Sequence, residues 1–238
     1  MTTETASVPI GLVSGLGVGA GIFYYRSLVN AHAELGITPQ IVMTHADVRR
    51  VLSLATARET RQLADYLAGL LRQLAGAGAQ FATIPAFAPQ VCARELAEIT
   101  PVPLIDLLDA IAEEIERRAV RRVTVLGARV TMETGIFGRL HGLADVISLR
   151  PGEIDQVAGI YGNIVLNERA SPEEFDTLRT LAHQVIERER LDAILLAGTD
   201  LAFVFDPENT DFPHLDGART HIAAIMRCCT GRPTSNAG

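Results

Sequence analysis

The chain has no lysine: all 21 basic residues among its 238 are arginine. Schiff-base catalysis and pyridoxal phosphate attachment both use a lysine amine, and the phosphate-binding P-loop carries one as well. Composition alone excludes those three enzyme classes. Cysteine is scarce, with only Cys92, Cys228 and Cys229. The adjacent pair makes neither a zinc spacing nor a secreted disulfide framework, so a reducing cytoplasm is the expected location. No apolar run reaches the ~18 residues of a membrane span. The opening "MTTETASVP" lacks a basic start and a long apolar stretch, and is expected to be a short disordered arm, not a signal peptide. A formal net charge of −7 argues against a nucleic-acid surface. Neither nucleic acid nor membrane is an expected partner.

What is present suffices for a large core. Nearly half the residues are hydrophobic, 48%, and the length allows one large domain or two small ones. Apolar, β-rich runs alternate with helix-period segments. Strands are expected at 9–15, 40–45, 80–85, 102–107, 122–128, 145–149 and 192–198. Helices are expected near 20–34, 59–78, 90–98, 107–119, 131–140, 153–168, 172–189 and 216–229. Strands buried on both faces and separated by helices make a parallel sheet. The fold class is α/β. The order repeats after about residue 121, each half opening with a strand and a small-residue loop, "VSGLG" and "LGAR". The expected architecture is two similar Rossmann-like lobes, 1–108 with 212–238 and 109–211, with an active-site cleft between them.

The loop "SGLGVGAG" (14–21) contains Gly15-x-Gly17-x-x-Ala20, a loose dinucleotide fingerprint. That fingerprint also needs an acid closing the second strand, to hold a ribose. Here the strand ends "MTHAD", with Thr44 and His45 at that place and Asp47 only further on. Two readings share the loop. One is a nicotinamide or flavin site. In the other, Gly15 and Gly17 let the backbone approach a small anion, whose carboxylate is held by helix N-terminal amides.

A second turn, "FATIPAFAPQ" (81–90), leaves a buried strand for a helix, yet nothing from Pro85 to Pro89 can give or take a proton. Five segments in order resemble the cofactor-independent aspartate/glutamate racemase superfamily. "GLVSGLGVGAGIFYYRSL" (11–28) is similar to its opening strand, glycine-rich turn and helix with a tyrosine-arginine pair, here Tyr25 and Arg26. "LAGAGAQFATIPAFAPQ" (74–90) resembles the segment that carries its first catalytic cysteine, and "VTVLGARVTMETGIFGRL" (123–140) its threonine-rich segment. "RLDAILLAGTDLAF" (190–203) resembles the segment of the second cysteine, and "PHLDGARTHIAA" (213–224) the closing helix. The resemblance implies two lobes around the site, a homodimer, a small carboxylate or amino-acid ligand and no cofactor. It also implies paired thiols on opposite faces of the α-carbon, one removing its proton while the other returns it.

Matched position by position, those cysteines fall on Ala86 and Gly198, neither of which carries a proton. Cys92 lies six residues past Ala86 and is expected to pack as a small hydrophobe. Cys228 and Cys229 end the last helix, away from the strand tips. The resemblance places Thr199 and Asp200 on the family's threonine-glutamate. Asp200 keeps the acid and is the candidate base, or else caps the following turn. His221 matches the histidine of the last helix and is a second candidate for moving a proton, or a support. Thr131, Glu133 and Thr134 are read at a helix N-terminus, where hydroxyls and amides suit a carboxylate. With Gly15, Gly17, Gln90 and Thr199 they make up the expected substrate contacts. His45 and Asp47 either line the cleft or lie on plain surface. The acidic loop "FDPENTDFPH" (205–214), with Asp206, Glu208, Asp211 and His214, matches no zinc or calcium spacing, so no metal is expected.

Two functions follow. One is an enzyme acting at the α-carbon of a small acid without the two-thiol mechanism: a racemase, isomerase, decarboxylase or lyase. The alternative is a non-catalytic carboxylate binder with a degenerate site.

Overall fold

The computed structural model describes residues 7–230. Residues 1–6 of the expected N-terminal arm lie outside the described residues. From Ser7 onward the opening is held in place: Ser7 Oγ lies 2.8 Å from His32 Nε2, and the Val8 amide donates to the Cys229 carbonyl at 3.2 Å. The chain divides into two compact units.

The first unit takes in residues 7–85, Val91–Leu107 and 221–230. Its parallel sheet has the order β2-β1-β3, from β1 (Ile10–Ser14), β2 (Ile41–His45) and β3 (Phe81–Thr83). Ile10 stands in register with both Ile41 and Phe81. Helix α1 (Val18–Glu34) follows β1, and α2 (Val48–Thr56) follows β2. Then α3 (Thr60–Gly76) brings Leu63, Leu67, Leu71 and Leu74 onto one stripe, all fully buried. Gly11 on β1 lets that stripe approach, since a Cβ there would come within 2.9 Å of the Leu74 side chain. The α2 helix was not expected. At nine residues it is short, and it is set by Asp47, whose Oδ1 accepts from the amides of Arg49 and Arg50 at 2.9 and 3.2 Å. The strand expected at 102–107 shrinks to one bridge, Ala82 with Leu104. Pro101 and Pro103 bring no amide hydrogen to a ladder. The helix expected over 90–98 is a 3-10 turn (Ala88–Cys92) running into α4 (Ala93–Ala97).

The second unit takes in Ala86–Gln90 and Leu108–Thr220. Its four parallel strands have the order β5-β4-β6-β7, from β4 (Arg122–Gly127), β5 (Asp145–Val146), β6 (Ala193–Ala197) and β7 (His214–Asp216). Its helices are α5 (Leu107–Arg117), α6 (Arg129–Glu133), α7 (Pro151–Asn167) and α8 (Pro172–Glu189). The α8 start carries a reciprocal cap between Ser171 and Glu174 with Pro172 at its first turn. The β7 strand was not expected either. Its pairing with β6 draws residues 212–220, read above with the first lobe, into this unit. Last comes α9 (Gly217–Thr230), which belongs to the first unit from His221 onward.

Chain order places the functional ends. The first sheet grows from β1 outward to β2 and then back across to β3; the second grows from β4 to β5 and back to β6. At such reversals the loops beyond the carboxyl ends of the two strands splay apart, and ligands bind there. Those loops are 15–17 and 84–85 in one unit, 128–129 and 198–200 in the other.

Candidate active site

All five residues of β6, "AILLA", are buried, and the strand ends at Gly198 in a 3-10 turn, Thr199–Phe203. This delivers Thr199 and Asp200 to the reversal point with almost no exposure, 3% and 2%. Both are candidates from the sequence, and the structure brings them together. A third residue joins them that sequence reasoning missed. Tyr161, on α7, donates its hydroxyl to Asp200 Oδ2 at 3.2 Å. Burial pushes the Tyr161 phenol well above its usual pKa, and the neighbouring Asp200 charge pushes it the same way. The proton therefore stays on the phenol and the carboxylate accepts. No spacing in "GIYGN" signals this contact, which exists only because α7 docks against the turn after β6.

The neighbouring α6 also packs on α7. It begins at Arg129, earlier than expected, so Thr131 falls mid-helix and Thr134 at its C-cap. Thr131 is fully buried, and its hydroxyl has no hydrogen-bond partner among the described residues. Thr134 donates its hydroxyl back to the Val130 carbonyl at 2.7 Å. Glu133 is exposed and pairs with Arg129 at 3.2 Å, which in turn holds Asp155 at 2.6 Å. The anion-binding helix start expected from Glu133 and Thr134 is thus not formed by these two side chains; Thr131 remains.

In the first unit, Gly15 and Gly17 have φ of 87° and 147°, the region only glycine enters freely. A Cβ at Gly15 would lie 2.7 Å from the Ala46 carbonyl oxygen and 2.9 Å from His45 Nδ1. The loop therefore packs tightly on the end of β2. Asp47 caps α2, and its amide donates to the Tyr66 hydroxyl at 2.7 Å. Asp47, the acid nearest the end of β2, is therefore engaged in capping α2.

His221 is fully buried and lies between three groups of the same unit. Its Nε2 lies 2.9 Å from the Ile105 carbonyl and 2.8 Å from Thr83 Oγ1; its Nδ1 lies 3.1 Å from the Tyr24 hydroxyl. A carbonyl only accepts, so Nε2 carries the hydrogen and Nδ1 accepts from the tyrosine. Burial pushes its pKa down to about 4. With both nitrogens engaged in this way, His221 is a neutral tie between elements, and the proton-moving role expected for it has no open ring atom.

The turn after β3 is filled by hydrocarbon. Ala86 and Phe87 are 5% and 4% exposed, and a Cβ at Gly217 would come within 2.6 Å of Phe87 Cζ. Gln90 donates to the Ala86 carbonyl at 3.0 Å. Cys92 sits inside the first unit's core, its thiol pushed up to about 12 by burial, with Glu95 adding to the rise. Cys229 is buried and pushed up to about 11, while Cys228 is exposed. In the acidic loop, Asp206 Oδ1 accepts from the Glu208 and Asn209 amides at 2.8 and 2.9 Å, and Asp211 meets His183 at 2.9 Å. His214 donates from Nδ1 to the Phe212 carbonyl at 3.0 Å.

The sequence model of Asp/Glu/Hydantoin racemase matches residues 13–225. The chain belongs to that family. The family fold is equally plain in solved structures. A candidate Asp/Glu racemase from Yersinia pestis superposes with a TM-score of 0.80 at 22% identity, over 93% of this chain and 99% of that one. An aspartate racemase homologue from Pyrococcus horikoshii OT3 gives 0.79 at 20%, with the same coverage. Glutamate racemase from Francisella tularensis, solved with D-glutamate, gives 0.61 at 14% over 92% and 80%. Within this racemase family fold, Asp200 and Thr199 occupy the reversal-point turn of the second sheet, and no helix among the described residues is long and apolar enough to cross a membrane.

Proposed function

We propose that this racemase-family chain is a cofactor-independent enzyme acting at the α-carbon of a small carboxylic or amino acid, with Asp200 as its base. The observation that carries the reading is the carboxylate of Asp200, 2% exposed at the end of β6 and joined by a phenol that stays protonated. Membership of a racemase family supports the reaction class, and D-glutamate bound to a family-fold neighbour supports the ligand class. Gly15, Gly17, Thr131 and Thr199 are the proposed carboxylate contacts, and Gln90 a further one. Ala86 and Gly198 carry no thiol. A single carboxylate works one face of the α-carbon, so α-proton exchange, isomerisation or decarboxylation through a carboxylate-stabilised carbanion fits better than two-thiol inversion. A homodimer and a cytoplasmic location belong to the same proposal. Sedimentation at about twice the 25.6 kDa chain mass is expected, and a monomer at micromolar concentration contradicts the dimer.

The test is α-proton exchange of aspartate, glutamate and related acids in heavy water, followed by NMR. Wild type is expected to exchange at least one of them, and Asp200→Asn to lose on the order of 100-fold or more, the usual contribution of a positioned base. Exchange that survives Asp200→Asn removes Asp200 from the mechanism. Saturable binding of the acids without exchange or product makes the chain a binder instead.

A further inference from the structure

Gly198 poses a steric question that its backbone does not answer. Its φ and ψ are −141° and 117°, an extended conformation open to any residue. Side chains are nevertheless shut out, because the ring of Tyr161 stands where a Cβ would be. An added Cβ would touch Tyr161 Cε2 and lie 2.7 Å from Cζ and 2.9 Å from the hydroxyl oxygen. The glycine is therefore required by another side chain, that of Tyr161 on α7. That side chain also holds the carboxylate two residues further on, through the 3.2 Å hydrogen bond to Asp200 Oδ2. Ring and hydroxyl act together: the ring can lie low enough to reach Asp200 only while position 198 is bare.

We propose that Tyr161 is the positioning residue of this site, filling the side-chain volume of position 198 and fixing the Asp200 carboxylate from the space so gained. The inference rests on the reading of Asp200 as the base, but its geometry stands independently of any substrate. It also gives the bare position a physical cause. A thiol or any other side chain at 198 and a phenol on Asp200 are mutually exclusive arrangements of one volume. Arg219 donates to the Phe205 carbonyl at 3.0 Å and the Ala202 carbonyl at 3.4 Å, and it is paired with Asp216.

The consequence is a coupling between a glycine and a titration. A neutral donor on a carboxylate favours its charged form, so losing the phenol moves the Asp200 titration to higher pH. Gly198→Ala displaces Tyr161 and takes the same donor away. The experiment follows side-chain carboxyl carbons of 13C-labelled aspartate by NMR against pH, with the Asp200 signal identified as the one missing in Asp200→Asn. Tyr161→Phe and Gly198→Ala are each expected to shift the midpoint upward by similar amounts, and the double variant to shift it no further. Melting temperatures provide the second arm: Gly198→Ala lowers the Tm in the wild-type background and has a much smaller effect in Tyr161→Ala. If Gly198→Ala does not fold alone, folding restored by Tyr161→Ala supports the same pairing. An unchanged midpoint in Tyr161→Phe, or an equal loss of Tm in both backgrounds, overturns the proposal. Neither arm needs turnover. A wild type that exchanges no α-proton sinks the proposed activity while leaving the titration to decide Tyr161.

Discussion

Three thiols and one buried carboxylate set the chemistry available at the scale of single residues. Cys92 is enclosed in a leucine-rich core and its thiol resists ionisation, so it is a packing residue. Cys229 is buried in the same way, and Cys228 alone faces solvent. In the folded protein an aromatic disulfide reagent is therefore expected to titrate one thiol quickly, with all three reacting only in denaturant. Fast reaction at Cys92, found by peptide mapping, would return a thiol mechanism to consideration. Asp200 is buried with the Tyr161 hydroxyl as a hydrogen-bond donor to its carboxylate. Its candidacy came from the family resemblance, which sets it on the acid that follows the second cysteine's position. Tyr161 was not legible in the sequence, because it is brought to Asp200 by helix docking across 39 residues of sequence.

Secondary-structure elements are tied together by side chains of the same kind. His221 on α9 joins Tyr24 on α1, Thr83 on β3 and the Ile105 carbonyl, and its ring packs edge-on to Tyr24 with centroids 5.6 Å apart. The tie carries a pH dependence. The histidine's folded pKa of about 4 lies below the ordinary 6.5, so the unfolded chain takes up the proton first as pH falls. Its contribution is whole above about pH 6.5 and is lost on the way down to about pH 4, a change of at most about 3 kcal/mol. Urea unfolding at several pH values is expected to show a steeper fall across that window in wild type than in His221→Gln. Equal slopes contradict the neutral, buried assignment. Element positions themselves were largely readable, since the α3 leucine stripe and the five-residue β6 run have unmistakable periods. The failures were short elements. The α2 helix and the β7 strand are defined by a cap and by a neighbouring strand respectively, and neither leaves a long period in the sequence.

At the scale of the molecule, the repeat of strand, glycine-rich loop and helix became two parallel sheets, each with its own order reversal. A match over residues 13–225 places the whole arrangement in the Asp/Glu/Hydantoin racemase family. The unit boundaries needed coordinates. Residues 86–90 follow β3 in sequence yet group with the second unit, where Phe87 fits against Gly217. What the amino-acid order determined by itself was local: buried strands, helical stripes, a chain without lysine and two positions without sulfur. Tertiary structure decided which side chains share a volume. The phenol over Gly198, the carboxylate it holds and the closed network around His221 all depend on distances between elements far apart in the chain, which periodicity does not encode.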